Sequence, residues 1–239
     1  MILVVNTAEE ALQLVLAGGQ AILEGLTELC AGRMNEVMAP AAQTMLSRSG
    51  GSLDAVACVR GPGSFTGLRL GLAFCHGLCL ARNIPMAGLD YMPLLAASAP
   101  AGSGEVHVVT HSRRGQVYHQ AFGPDALGPP AALTAQAARD AIAARAAKTR
   151  VTALGTGLRR NPDVFADLGG AVRLDLENPT HEALLAAANA ATFDGPPVEA
   201  LYLRGSDAEE NLAAIAAGRG LTEEEALAWM ERATKQEKE

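Results

Sequence analysis

The stretch VACVRGPGSFTGLRLGLAFCHGLCLARN, residues 56–83, decides how the rest of the chain is read. It runs from an apolar strand at 56–59, through a glycine turn at 61–63, into a long apolar helix over about 66–82. Strand, turn and helix in that order are the unit of α/β folds, and the free amides at a helix N-terminus favour anions. Two readings of the turn follow. Its backbone is a nest for phosphate, with Arg69 one helical turn in, or it is a structural turn whose Ser64 and Thr66 cap the helix.

Spacing narrows the chemistry. Gly61, Gly63 and Gly67 give G-x-G-x-x-x-G, one residue longer than the dinucleotide fingerprint, with Pro62 in the first gap. Residues 62–69 hold no lysine, which excludes a Walker A loop. Ser64 stands one residue after Gly63 and three before Gly67, so the G-x-S-x-G nucleophile elbow fails. The five histidines (76, 107, 111, 119 and 181) make no H-E-x-x-H pair, and placed singly they read as structural or exposed.

The bulk numbers exclude further classes. With 239 residues, 49% of them hydrophobic, the chain is globular and large enough for one large domain or two lobes. A net charge of -7 and the lack of a Lys/Arg cluster argue against gripping nucleic acid alone. The pairs Arg113-Arg114 and Arg159-Arg160 are the nearest to one, and Arg159-Arg160 reads as a solvated turn. Cys30, Cys58, Cys75 and Cys79 form no C-x-x-C and read as buried thiols of a reducing compartment. MILVVNTAEE lacks a basic leader, and the longest uncharged apolar helix, 70–81, falls short of the roughly 20 residues a bilayer needs. The expected location is cytoplasmic.

Outward from the glycine turn, strands are expected at 2–5, 11–17 and 20–30, with Gly18-Gly19 turning between the last two. Met34, Val37, Met38, Ala41, Ala42, Met45 and Leu46 fall on one helical face, with Pro40 inside it. The helix at 66–82 is apolar nearly all round and needs cover on more than one side. A short strand at 86–89 and a helix at 92–99 lead to the linker 99–104. The second half opens with another strand pair, 106–110 and 116–122. A helix capped by Thr134, a strand at 151–154, a helix capped by Thr180 and a strand-like segment at 198–203 follow. The capping boxes Ser206–Glu209 and Thr222–Glu225 begin a helical hairpin. The expected division is 1–104, 105–205 and a tail, 206–239, in an α/β architecture of two similar lobes.

GPGSFTGLRLGLAFCHGL, residues 61–78, resembles the signature of the TsaB family, also called YeaZ, without a break from Gly61 to Arg69. VVNTAEEALQLVL (4–16), SRRGQVY (112–118), ALGTG (153–157) and LYLRGSDAE (201–209) resemble further family segments, so the likeness runs from residue 1 to about 209. The resemblance implies a two-lobed actin-like ATPase (ASKHA) fold with ribonuclease H-like lobes, followed here by the helical hairpin. It implies a scaffold that is not itself catalytic, in the synthesis of N6-threonylcarbamoyladenosine at position 37 of tRNAs reading codons that start with A. The partners implied are a catalytic TsaD-type paralogue, a small TsaE-type ATPase, or a second copy of the chain. tRNA is met only through the complex, and the chain has no cofactor of its own, ATP and Mg²⁺ belonging to the shared assembly.

The resemblance also places the subunit interface on the helices at 33–47 and 66–82, which assigns Met34, Met38, Met45, Leu70, Phe74 and Leu78 to it. The signature turn, Gly61, Pro62, Gly63, Ser64, Phe65, Thr66, Gly67 and Arg69, is then chiefly a launch for the helix, with an anion contact secondary. Asn6 and His111 stand where an actin-like ATPase carries aspartates, and 32–40 lacks the histidine pair of the catalytic paralogue. Those departures weigh against two enzyme readings, an actin-like ATPase or kinase and a glycoprotease-type metallopeptidase.

Overall fold

A computed structural model describes residues 1–30, 32–123, 127–193, 197–203 and 222. The first sheet is built from β1 (Ile2–Asn6), β2 (Ala11–Gly18) and β3 (Ala21–Leu29). After α1 (Met34–Arg48) come β4 (Ala55–Gly61), α2 (Phe65–Arg82), β5 (Met86–Asp90) and α3 (Tyr91–Ala97). The second sheet begins with β6 (Glu105–Arg113), β7 (Gln116–Phe122) and β8 (Ala131–Thr134). It continues through α4 (Ala135–Ala146), β9 (Val151–Leu154), α5 (Thr156–Arg160), β10 (Val172–Leu174) and α6 (His181–Ala190).

The two sheets repeat one topology. The first has the order β3-β2-β1-β4-β5 and the second β10-β9-β6-β7-β8. In each, three antiparallel strands are extended by two parallel ones: Val4 faces Val15 across the β1–β2 pair, and β4 runs parallel to β1. Correspondingly β6 is antiparallel to β7 and parallel to β9. This doubled ribonuclease H-like sheet is the two-lobed actin-like ATPase fold.

Both faces of the first sheet are covered, which is why its strands read as near-continuous apolar runs. Leu3, Val5, Leu12, Leu14 and Leu16 point to one side, against α1 and α2. Val4, Val15, Ala57 and Val59 point to the other, where α3, α6 and the second sheet's Val106, Val108 and Leu154 meet them. A third cluster joins Val109 and Val117 to Ile142, Leu158 and Phe165 behind the second sheet. Residues 1–203 form one compact unit.

Local chemistry sets the helix boundaries. Thr134 and Thr180 accept from the amides of Ala137 and Ala183, each satisfying an amide the helix start leaves free. Pro40 sits inside α1 without ending it. Three elements escape the sequence pattern: β8 and β10 are short and largely exposed, and α5 has one turn. The segment 198–203, expected to be strand-like, forms no strand. It is a strap over the first sheet, where the Leu201 amide donates to the Arg60 carbonyl at 2.7 Å and Val198 lies over Gly88. The helical hairpin expected over 206–239 rests on residues outside those described. Among the described residues no helix is long and apolar enough to cross a membrane.

Candidate functional site

The glycine turn between β4 and α2 is filled by the chain itself. The Ser64 amide donates to the Ala8 carbonyl at 2.7 Å, and the Gly67 amide to Ser64 Oγ at 3.2 Å. A Cβ on Gly63 would stand 2.3 Å from the Ala8 oxygen, and one on Gly67 2.2 Å from the Thr7 oxygen. On Gly71 it would stand 2.2 Å from Thr7 Oγ1. The glycines are therefore needed because the turn after β1 packs backbone to backbone against the start of α2. Gly61 and Pro62 are buried, whereas Ser64, Phe65, Thr66 and Arg69 are exposed.

Arg69 has been drawn into an aromatic pair. Its guanidinium lies 3.9 Å from the Phe65 ring centroid, and its Nε donates to Tyr202 Oη at 3.2 Å. The Phe65 and Tyr202 rings are 5.4 Å apart. Stacking on the ring quadrupole and a hydrogen bond fix an exposed arginine at modest entropic cost. The strap brings Tyr202 to Arg69 from 133 residues away with no local signal, so sequence reasoning missed this contact.

The corresponding turn of the second sheet lies between β9 and α5. Here a Cβ on Gly155 would stand 2.4 Å from the Val109 oxygen, the same close approach made to β6. Into this turn reaches Glu9, buried to 9% exposure, whose Oε1 accepts from Thr156 Oγ1 at 3.0 Å. Thr156 Oγ1 in turn accepts from the His111 amide at 2.9 Å. Burial pushes the Glu9 carboxyl up to about 8, against the pull of the Thr156 hydrogen bond. Burial and then Arg159 hold the His111 imidazole below its ordinary value.

Around Glu9 runs a chain of ion pairs. Arg159 reaches Glu177 at 2.7 Å and Glu10 at 3.2 Å, and Arg160 pairs with Glu10. The expectation that Arg159-Arg160 is a solvated turn holds for exposure alone: both side chains are exposed, but they belong to α5 and tie it to the turn after β1. Their partners lie far away in sequence, which is why the pair looked free.

The turns after β1 and at the end of β6, which pack against these two, are where the fold implies Mg²⁺·ATP, and the residues present do not suit it. Asn6 offers an amide that donates to Gln13 Oε1 at 2.8 Å and accepts from the Ala8 amide at 3.0 Å, closing the turn on itself. His111 replaces a carboxylate, and Glu9 places a carboxyl group against Thr156 where phosphate would need donors. Among the described residues no cluster of three or more His, Cys, Asp or Glu side chains is placed to hold a metal.

The helix faces split. Met34, Met38 and Met45 are buried at 7%, 4% and 3% exposure in the cluster with Leu12 and Leu14, so they are core of this chain and not a partner surface. The favoured interface reading is corrected for them: α1 lays its methionine stripe on the sheet, and Met fills the irregular gap between strand and helix side chains. Leu70, Phe74 and Leu78 are different. They recur every four residues on α2, are half-buried, and border the core. Phe74 and Leu78 line an open groove of about 340 Å³ with Ala42, Gln43, Leu46 and Arg82.

Other singled-out residues are structural. His107 Nδ1 and His119 Nε2 meet at 3.0 Å, and burial pushes the His119 imidazole down to about 4. All four cysteines are buried free thiols, and burial beside Cys58 raises Cys75.

Comparison with known proteins follows the same lines. Residues 10–163 match the family model described as TsaD, tRNA N6-adenosine threonylcarbamoyltransferase. The Escherichia coli (strain K12) tRNA threonylcarbamoyladenosine biosynthesis protein TsaB is 34% identical over 132 residues, 53% of this chain and 57% of that protein. The Bacillus subtilis (strain 168) protein of the same name is 33% identical over 66 residues, 28% of this chain and 29% of its own length. The matching stretches thus span less than two thirds of these relatives. A crystal structure described as an uncharacterized protein with similarity to peptidase YEAZ from Pseudomonas aeruginosa has a TM-score of 0.71 at 24% identity, over 85% of this chain and 99% of that one. A second, YeaZ from Pseudomonas aeruginosa, has a TM-score of 0.67 at 22% identity over 84% and 99%. At those identities the two structures speak for the fold alone. By the match of its residues 10–163, and with TsaB proteins among its relatives, the chain belongs to the TsaD-type family on its TsaB side.

Proposed function

We propose that this chain is a non-catalytic partner subunit of the complex that transfers threonylcarbamoyl to N6 of adenosine 37 in tRNAs reading codons that start with A. It supports a TsaD-type catalytic subunit, together with a TsaE-type ATPase, in the cytoplasm. The observation that carries this reading is the internal use of both turns. The backbone of Thr7–Ala8 fills the first, and Glu9 plugs the second, so the turn after β1, where an actin-like ATPase would handle phosphate, holds this chain together instead. ATP and Mg²⁺ then belong to the assembled complex and tRNA reaches the chain through it, in keeping with its charge of -7. An anion contact at the signature turn is secondary, because the amides of Ser64 and Gly67 already have acceptors.

The partner surface is the half-buried stripe of α2, where Phe74 and Leu78 line the groove and Leu70 lies one turn before them. A second copy docks there when the catalytic partner is absent. Apolar anchors of this kind carry most of the affinity of an interface. Gel filtration and titration with a TsaD-type protein test the assignment. Phe74→Glu is expected to weaken that complex by about 30-fold or more while circular dichroism and melting stay near wild type, because the side chain is only half-buried. Met38→Glu, by contrast, is expected to prevent folding, since it sets an unpaired charge in the core. Wild-type affinity in a folded Phe74→Glu variant rejects this surface, and failure of the wild-type chain to co-elute with the partner rejects the subunit role.

A further inference from the structure

The cluster around Glu9 is unbalanced in charge. Three carboxyl groups, Glu9, Glu10 and Glu177, face two guanidinium groups, Arg159 and Arg160. Arg159 is held by Glu177 and Glu10, and Arg160 by Glu10. The two cations are therefore matched without Glu9. The other titratable groups that face it do not change the sum. Tyr91, from α3, donates its hydroxyl to the Glu177 carbonyl at 2.9 Å and is held neutral by burial. The His111 imidazole is held towards its neutral form by burial and by Arg159. Glu9 is also the most deeply buried carboxyl group of the cluster and the one inserted into the turn of the other sheet.

We propose that Glu9 is a latch between the two sheets: its carboxyl group holds the turn after β1 against the β9–α5 turn while it carries a proton, and release of that proton to solvent loosens the β9–α5 turn. The neutral acid accepts the Thr156 hydroxyl hydrogen bond without placing a charge in the seam. The carboxylate adds a third negative charge to a cluster of two cations, and the pull of Arg160 and Arg159 does not offset its burial. The cheapest relief is local. Residues 155–160 move away and admit water, and the rest of both sheets keeps its hydrogen bonds. The burial that lifts the carboxyl to about 8 places the transition just above neutral pH. The latch rests on the same Glu9–Thr156 contact that the proposed subunit role draws on, but not on the α2 surface, and its exchange readout needs no partner, so its failure is distinguishable from failure to assemble.

Hydrogen–deuterium exchange on the full chain, followed from pH 6 to 9.5 and corrected for the intrinsic exchange rate, tests it. In the wild type, peptides over 155–160 are expected to lose about tenfold in protection across pH 8, while peptides over β1 and β4 hold theirs. Glu9→Gln, which keeps the shape and an acceptor for Thr156 but cannot ionise, is expected to remove that pH dependence, and Glu9→Met serves the same end should the glutamine variant fail to fold. The carboxyl carbon of Glu9 in the wild type, followed by NMR, should titrate above pH 7. Equal loss of protection in wild type and variant, loss spread evenly through β1 and β4, or a carbon titrating below pH 5 overturns the latch.

Discussion

The turns that follow β4 and β9 occupy equivalent places in the two sheets and use the same backbone device. In each, glycine lets the next helix start in contact with the strand or turn beside it: Gly67 against Thr7, Gly155 against Val109. They differ in what else they carry. The β4–α2 turn launches a helix of 18 residues and presents Phe65 and Arg69 outward. The β9–α5 turn launches 5 residues and receives a carboxyl group from the first sheet. One seam is held by shape, the other by a titratable group. A duplicated fold can thus keep its frame twice and assign the two copies different work.

The sharpest way to break the shape half of that contrast is Gly67→Ala. Its Cβ would lie 2.2 Å from a backbone oxygen that no rotamer change can move, so a loss of about 3 kcal/mol or more is expected by urea denaturation. The charge half predicts the opposite sign for Glu9→Gln. A carboxyl group raised from 4.5 to about 8 on folding adds a contribution that is complete below pH 4.5 and lost as pH climbs through 8. The variant lacks that decline, so it should match the wild type at pH 4 and exceed it by up to about 5 kcal/mol at pH 9. An advantage independent of pH would mean that Glu9 is not the titrating group. The smallest effect marks where shape stops mattering: a methyl group on Gly77, in the same α2, would meet nothing within 4 Å beyond the helix's own backbone. Gly77→Ala should stabilise by about 0.5–1 kcal/mol through helix propensity alone.

Much of the frame was legible because its signals are local. The alternating and continuous apolar runs gave β1, β2, β6 and β7, and Ser64, Thr134 and Thr180 stood where caps belong. The methionine stripe showed the helical face correctly but not what covers it: periodicity marks a buried side and says nothing of whose atoms bury it. The site was less legible. Glu9 and Glu10 are adjacent in one turn, and which of them is buried depends on Thr156, 147 residues away. Arg159 finds Glu10 at a separation of 149. The doublet of acids between two apolar strands was the one available hint, since a charged pair in so tight a turn invites the question of where its cations lie.

The central claim, that the chain supplies assembly and not chemistry, is tested most directly by reconstitution. TsaD-type and TsaE-type proteins, threonylcarbamoyl-adenylate, ATP, Mg²⁺ and an unmodified tRNA reading A-starting codons are combined with and without this chain, and the tRNA nucleosides are analysed. The account predicts N6-threonylcarbamoyladenosine only when the chain is present, and none when the TsaD-type protein is the component left out. Modified tRNA made by this chain without a TsaD-type protein, or made equally well in its absence, would contradict it.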